Sequence, residues 1–287
     1  MELNVNSNPG FFTRLNAMKH KLRDSEKKIA DFIQSNREEI IHLSITEVAE
    51  RSGTSESSVV RLCKRLGYKG FQDLKIYLAK EVIQPEEQTY ENIEEGDDMS
   101  TIKKKVFQSN IQALYDSLEV CDEMSLKQAV DIIKEAKLIE FYGTGGSGTV
   151  ALDAQHKFLK IGIKASAYTD STLQAMSASV LTKQAVVIGI SHTGSSTDIL
   201  NSMRIAKASG AMLVCITNSS KSPLTKISDI VLQTASSETL FHTDAISSRI
   251  AQLTVIDILV AAIANEKYHY YYENLQKTRK ATIDKKL

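Results

Sequence analysis

Five short apolar runs recur between residues 138 and 234, and they constrain the fold more than any other feature. They are LIEFYG (138–143), KASAYT (164–169), AVVIGI (185–190), AMLVCI (211–216) and DIVLQT (229–234). Most are near-continuous apolar, as strands buried on both faces must be. Amphipathic stretches of helical length separate most of them. Buried strands alternating with helices predict an α/β unit with a parallel five-stranded sheet flanked by helices. In such sheets ligands sit beyond the carboxyl ends of the strands, and two loops of glycines and hydroxyls fall there.

The first loop, YGTGGSGT, contains Gly143, Gly145 and Gly148 in a literal G-x-G-x-x-G, with Asp170 standing 22 residues further on. That imitates a dinucleotide fingerprint. The same residues also suit a small phosphate: the glycines let backbone N–H groups approach, and Ser147 opens a helix whose positive end favours anions. A plain strand-to-helix turn is the third reading. The second loop, ISHTGSST, puts five hydroxyls (Ser191, Thr193, Ser195, Ser196 and Thr197) around His192 and Gly194. It holds no Lys or Arg, so neutral donors and a helix N-terminus must carry an anion's charge. A phosphate monoester fits such a site, and sugar hydroxyls fit the surplus donors. A second loop of this kind beside the first argues against a dinucleotide, for which it has no use.

Net charge is zero but uneven. Residues 1–80 hold 14 Lys and Arg against 10 Asp and Glu, whereas residues 81–100 hold eight acidic residues and no basic one. The acidic stretch has no apolar period and contains Pro85 and Gly96, which predicts a solvated linker. The chain thus divides into a basic all-α module over 1–80, a linker over 81–100 and an α/β body over 101–287. Within the module, Leu22, Ile29, Phe32 and Ile33 form one helical stripe, and Ile45, Val48 and Ala49 form the inner face of a short helix ending at Gly53. Thr54 or Ser55 caps the next helix, which buries Val59, Leu62, Cys63 and Leu66. Its other face shows Ser55, Ser57, Ser58, Arg61, Lys64 and Arg65. Two short helices about a glycine turn, the second bearing hydroxyls and bases, make a helix-turn-helix pattern. Arginine forks reach guanine or phosphate and Lys64 is a point charge for phosphate, so double-stranded DNA is the expected partner. A protein-docking module with a basic solvated face is the blander alternative.

Cys63, Cys121 and Cys215 show no metal or redox spacing, and no secretory signal or membrane span is expected, LTVIDILVAAIA being short and interrupted by Asp257. These features point to a cytoplasmic protein without a metal or other cofactor.

The phrases MKHKLRDSEKKIADFI and SSVVRLCKRLGYKGFQDLK resemble the N-terminal domain of the RpiR family of sugar-phosphate-responsive transcriptional regulators. GTGGS followed by ISHTGSS is similar to the sugar isomerase (SIS) domain that such regulators carry, and ETLFHTDAISSRIAQLTVIDIL resembles the matching family segment. The SIS motif reads Ser-x-Ser-Gly-x-Thr where this chain has Ser191-x-Thr193-Gly194-x-Ser196, so every hydroxyl is kept. The resemblance implies that Ser147, Ser191, Thr193 and Ser196 contact a phosphate and that Glu238 lies near the sugar. Gly145, His192 and His242 complete the candidate ligand set, while His156 is expected to be structural. Segments 168–180 and 238–244 are expected to line the sugar, with amino-sugar 6-phosphates as the first expectation from the resemblance.

Aldose–ketose isomerisation needs a base and a ring-opening acid. Glu238 with His242 or His192 supplies those residue types, so an isomerase with a DNA-binding appendage is the competing reading. The DNA module favours a sensor, since a regulator gains nothing by consuming its signal. A homo-oligomer is expected, because one small helix-turn-helix reads too few bases. Segment 246–263, apolar on more than one face, suits a helix buried against sheet and partner, or one buried within its own subunit.

Overall fold

The computed structural model describes residues 11, 15, 18, 22–36, 39–82, 93–236 and 246–283, and of residues 79–82 and 246 the backbone alone. The chain divides into two compact units, one ending at Glu94 and the other starting at Glu95.

In the first unit, helices α1 (Asp24–Ser35), α2 (Ile45–Arg51), α3 (Glu56–Arg65) and α4 (Phe71–Val82) surround one apolar core. The expected stripes supply it: Leu22, Ile29, Ile33, Val48, Ala49, Val59, Leu62, Cys63 and Leu66 are all buried, with Phe32 packed at the edge. Helix α2 starts at a capping box, in which the Glu47 N–H donates to Ser44 Oγ at 3.2 Å and the Ser44 N–H to Glu47 Oε2 at 2.8 Å. It stops at Gly53, whose φ of +62° lets the chain turn within three residues into α3, capped by Ser55. Thr46 Oγ1 donates to Glu56 Oε1 at 2.6 Å and ties the two helices across that turn.

The second unit opens with helices α5 (Met99–Val120) and α6 (Glu123–Glu135), capped by Asp98 and Asp122. The five expected strands follow: β1 (Leu138–Tyr142), β2 (Ala165–Tyr168), β3 (Ala185–Ile190), β4 (Met212–Thr217) and β5 (Ile230–Gln233). They form one parallel sheet in the order β2-β1-β3-β4-β5. Helices α7 (Gly145–Lys160), α8 (Ser171–Ser179), α9 (Thr197–Ala208) and α10 (Pro223–Ile227) connect them, and α11 (Ile246–Glu266) and α12 (Tyr268–Lys280) end the unit.

Alternate residues of each strand serve opposite cores. Val186, Ile188, Ile190, Val214 and Ile216 pack with α6, α7 and α11, while Ala185, Val187, Leu213 and Cys215 pack with α8, α9 and α10. Helix α11 is long and apolar enough to cross a membrane, longer than the sequence suggests. Its apolar faces are occupied by α5, α6, α7 and β4 of its own unit, and Asp257 pairs with Lys157 of α7 at 2.5 Å. Burial among its own neighbours therefore accounts for an apolar character that also fits a subunit contact.

Candidate functional site

Strand order reverses between β1 and β3: from β1 the chain crosses to β2 on one side, and from β3 it moves on to β4 and β5 on the other. A crevice opens at such a switch point beyond the carboxyl ends of the strands. The two loops end there side by side, because Tyr142 of β1 is in register with Gly189 of β3.

The first loop is shaped by glycine. A Cβ on Gly143 would lie 2.4 Å from the Ser147 carbonyl oxygen, so only glycine lets the first turn of α7 fold back on the strand. Gly145 takes φ +55°. Helix α7 starts at Gly145, two residues before the expected start, which makes Ser147 its third residue. The N–H groups of a helix's first turn have no partner within the helix. Gln174 of α8, fully buried, holds the loop from below: its Nε2 donates to the Gly143 carbonyl at 3.2 Å and the Tyr168 carbonyl at 2.9 Å. Asp170, the acidic residue of the fingerprint reading, caps α8 by accepting from the Leu173 N–H at 2.9 Å. That cap gives Asp170 a structural role that requires no ribose.

The second loop leaves β3 through Ser191, whose N–H donates to the Ile216 carbonyl at 3.1 Å. Gly194 (φ +62°) turns the chain over α10, where a Cβ would come within 2.2 Å of Ser222 Oγ. The Gly194 carbonyl accepts from the Leu224 N–H at 3.0 Å, and the His192 carbonyl from Thr217 Oγ1 at 3.1 Å and the Asn218 N–H at 3.0 Å. Thr193 Oγ1 accepts from the Ser195 N–H at 3.2 Å. Helix α9 begins at Thr197 with Ser196 as its N-cap.

Thr144 and Ser196, the N-caps of α7 and α9, make no side-chain capping bond, whereas Ser44, Ser55, Asp98, Asp122, Asp170 and Ser222 all do. The hydroxyls of Ser147, Ser191 and Ser196 make no hydrogen bond among the described residues. Two positive helix ends and three uncommitted hydroxyls therefore stand in the loops that follow adjacent strands β1 and β3, a donor set suited to a small anion.

Arg249 escaped the reading of the sequence. Its side chain lies against the first turn of α7, Cδ standing 3.4 Å from where a Gly146 Cβ would be. It brings a cation to a loop pair that contains none. The available signal was isolation: Arg249 is the only Lys or Arg between Lys226 and Lys267. Glu238 and His242 lie outside the described residues. No cluster of three or more His, Cys, Asp or Glu residues able to hold a metal occurs among the described residues.

In the helical unit, Ser55, Ser57, Arg61, Lys64 and Arg65 are exposed along α3, but Ser58 is not. Ser58 is buried, its Oγ accepting from Arg61 at 2.8 Å and bonding Ser55 Oγ at 3.0 Å, because the α3 stripe turns position 58 toward the core. Arg65 leans back to Glu26 of α1, Nε to Oε1 at 3.4 Å. That salt bridge gives a counter-ion to a carboxylate that would otherwise lie buried without one.

Fold and site define a class: a helix-turn-helix unit joined to an α/β unit with a small-anion crevice. Residues 10–85 match the helix-turn-helix domain of the rpiR family and residues 132–262 the SIS domain. An uncharacterised HTH-type transcriptional regulator of Caldanaerobacter subterraneus subsp. tengcongensis is 37% identical, covering 94% of this chain and 96% of the relative. The HTH-type regulator YbbH of Bacillus subtilis is also 37% identical, over 93% and 95%. Among solved structures, the Vibrio vulnificus NanR protein complexed with ManNAc-6P superposes with a TM-score of 0.83 at 27% identity, covering 97% of this chain and all of that one. The chain belongs to the rpiR family of helix-turn-helix transcriptional regulators and carries a SIS domain.

Proposed function

We propose that the SIS domain senses a phosphorylated amino sugar and that its occupancy alters operator binding, without turnover. The observation that supports this is the pair of uncapped helix N-termini after adjacent strands β1 and β3, with the uncommitted hydroxyls of Ser147, Ser191 and Ser196 in the same loops. On this reading they hold the phosphate, Gly145 and Thr193 shape their loops, and Arg249 adds the positive charge. Glu238, His192 and His242 face the sugar. The ManNAc-6P bound to the related NanR supports an N-acetylhexosamine 6-phosphate.

On the same reading the DNA-binding domain spans 1–80, an acidic linker 81–100 and the effector domain 101–287. Ser55, Ser57, Arg61, Lys64 and Arg65 contact operator DNA, with Ser58 as their internal brace. Pairing of at least two copies lets a palindromic site be read twice, and DNA as target puts the protein in the cytoplasm.

Calorimetry with N-acetylmannosamine 6-phosphate, its unphosphorylated sugar and inorganic phosphate tests this, with product analysis of the same mixtures. Only the phosphosugar is expected to bind tightly, and at 100 times its Kd to add about 2.7 kcal/mol of stability. No isomer is expected. Equal binding of the unphosphorylated sugar contradicts the phosphate assignment. Turnover that disappears in Glu238→Gln establishes an isomerase instead.

A further inference from the structure

We infer that the outer face of α5 is where two copies of this chain pair, antiparallel, about a two-fold axis close to Ile111 and Gln112. The inference deepens the homo-oligomer reading and rests on it. Phe107, Ile111, Leu114 and Leu118 recur at helical spacing in one row, flanked by Tyr115, and these five side chains are between 36% and 70% exposed. Among the described residues, no other helix exposes more than three large hydrophobic side chains. The inner face of α5 is already committed: Ala113 and Ser117 are buried, and Ser117 Oγ donates to the Ala235 carbonyl at 3.0 Å.

Area is the first argument for a second copy. At about 150–250 Å² for a large side chain, the row presents roughly 500 Å² of apolar surface, the upper end of what a monomer leaves exposed in one place. The helix is 22 residues long, about 33 Å, and exposes Lys103, Lys104, Gln108, Gln112 and Glu119 beside the row. Together they bring the face near the roughly 800 Å² that one partner gives a standard interface.

Charge is the second argument. The helix carries Lys103 and Lys104 toward its start and Glu119 toward its end. At about 100° per residue, Lys104 and Glu119 stand on the same flank of the row. They are also equally far in sequence from the midpoint between Ile111 and Gln112. In an antiparallel pair related by a two-fold axis, each flank meets the same flank of the other copy. Lys104 then faces the partner's Glu119, and the pair repeats by symmetry. Neither side chain has a salt bridge within the described residues, whereas the neighbouring Lys105 is held by Asp97 at 2.8 Å. A parallel pairing would set lysine against lysine.

Sedimentation of the full chain tests the pairing, comparing wild type, Ile111→Glu/Leu118→Glu, Lys104→Glu, Glu119→Lys and the double exchange Lys104→Glu/Glu119→Lys. Wild type is expected to dimerise at micromolar concentration. The row variant is expected to weaken dimerisation by roughly a hundredfold or more while keeping its circular dichroism. Each single charge reversal should weaken it roughly threefold to tenfold, and the double exchange should restore it. A monomeric wild type overturns the homo-oligomer reading and this inference with it. A dimer untouched by the row variant, or a row covered by another part of the same chain in a monomer, overturns the inference alone. If the row variant fails to fold, the charge series decides, and single reversals without effect, or a double exchange that fails to restore pairing, overturn it.

Discussion

Gly194 and Gly145 have nearly the same positive φ, +62° and +55°, in neighbouring loops, yet their surroundings set different costs for a methyl group. At Gly145 nothing lies within 4 Å of an added Cβ, so Gly145→Ala meets only backbone strain, about 1 kcal/mol. At Gly194 the Cβ meets the Ser222 side chain that caps α10, so strain and a displaced cap combine. Gly194→Ala should lose about 2–4 kcal/mol. Urea midpoints of the two variants check the difference, and equal losses would contradict a rigid Ser222 contact. Burial also pushes the thiols of Cys63 and Cys215 up to about 12. Both are therefore neutral near pH 8 and should resist thiol reagents until the chain unfolds; labelling of either at a free-thiol rate in the native protein would contradict their packing.

Helix α3 illustrates which features of an element a sequence reveals. Its apolar stripe, its cap and its basic face follow from residue types at helical spacing. The inward turn of Ser58 does not, because a serine at a stripe's edge satisfies its hydroxyl as well inside as outside, here with Arg61 and Ser55. Nor does the pairing of Arg65 with Glu26, which depends on how α1 crosses α3. On the proposed reading Arg65 has two duties, one toward operator DNA and one toward Glu26. Arg65→Ala should lower operator affinity and also cost about 1–3 kcal/mol of stability, by leaving the Glu26 carboxylate buried without its cation. Lys64→Ala should leave stability nearly unchanged, Arg61→Ala should cost about 1 kcal/mol through its lost bond to Ser58, and each should flatten the salt dependence of operator binding by about one unit of slope. Salt-titrated anisotropy with parallel denaturation curves separates the two cases. An unchanged slope in the Arg61/Lys64 double variant would contradict the assignment of α3 to DNA.

At the scale of the molecule, the sheet and its two loops were legible because buried parallel strands leave long apolar runs, and because tight anion loops need glycine and hydroxyls in sequence. Arg249 was not legible, since it comes to the first turn of α7 from a helix that begins about fifty residues after the second loop. The outer row of α5 stayed hidden for a related reason: a helix must be seen packed before its unpacked side is known. The central claim is that phosphosugar in this crevice governs operator binding. Anisotropy of a bound operator fragment, titrated with N-acetylmannosamine 6-phosphate, tests it in wild type and in Ser191→Ala/Ser196→Ala. Each hydrogen bond to a charged group contributes about 1.5–3 kcal/mol, so the double variant should bind the effector about 3–6 kcal/mol more weakly if the two add. It is expected to hold operator as the effector-free wild type does and to ignore the sugar at every practical concentration. A response with unchanged midpoint in the double variant would contradict the claim.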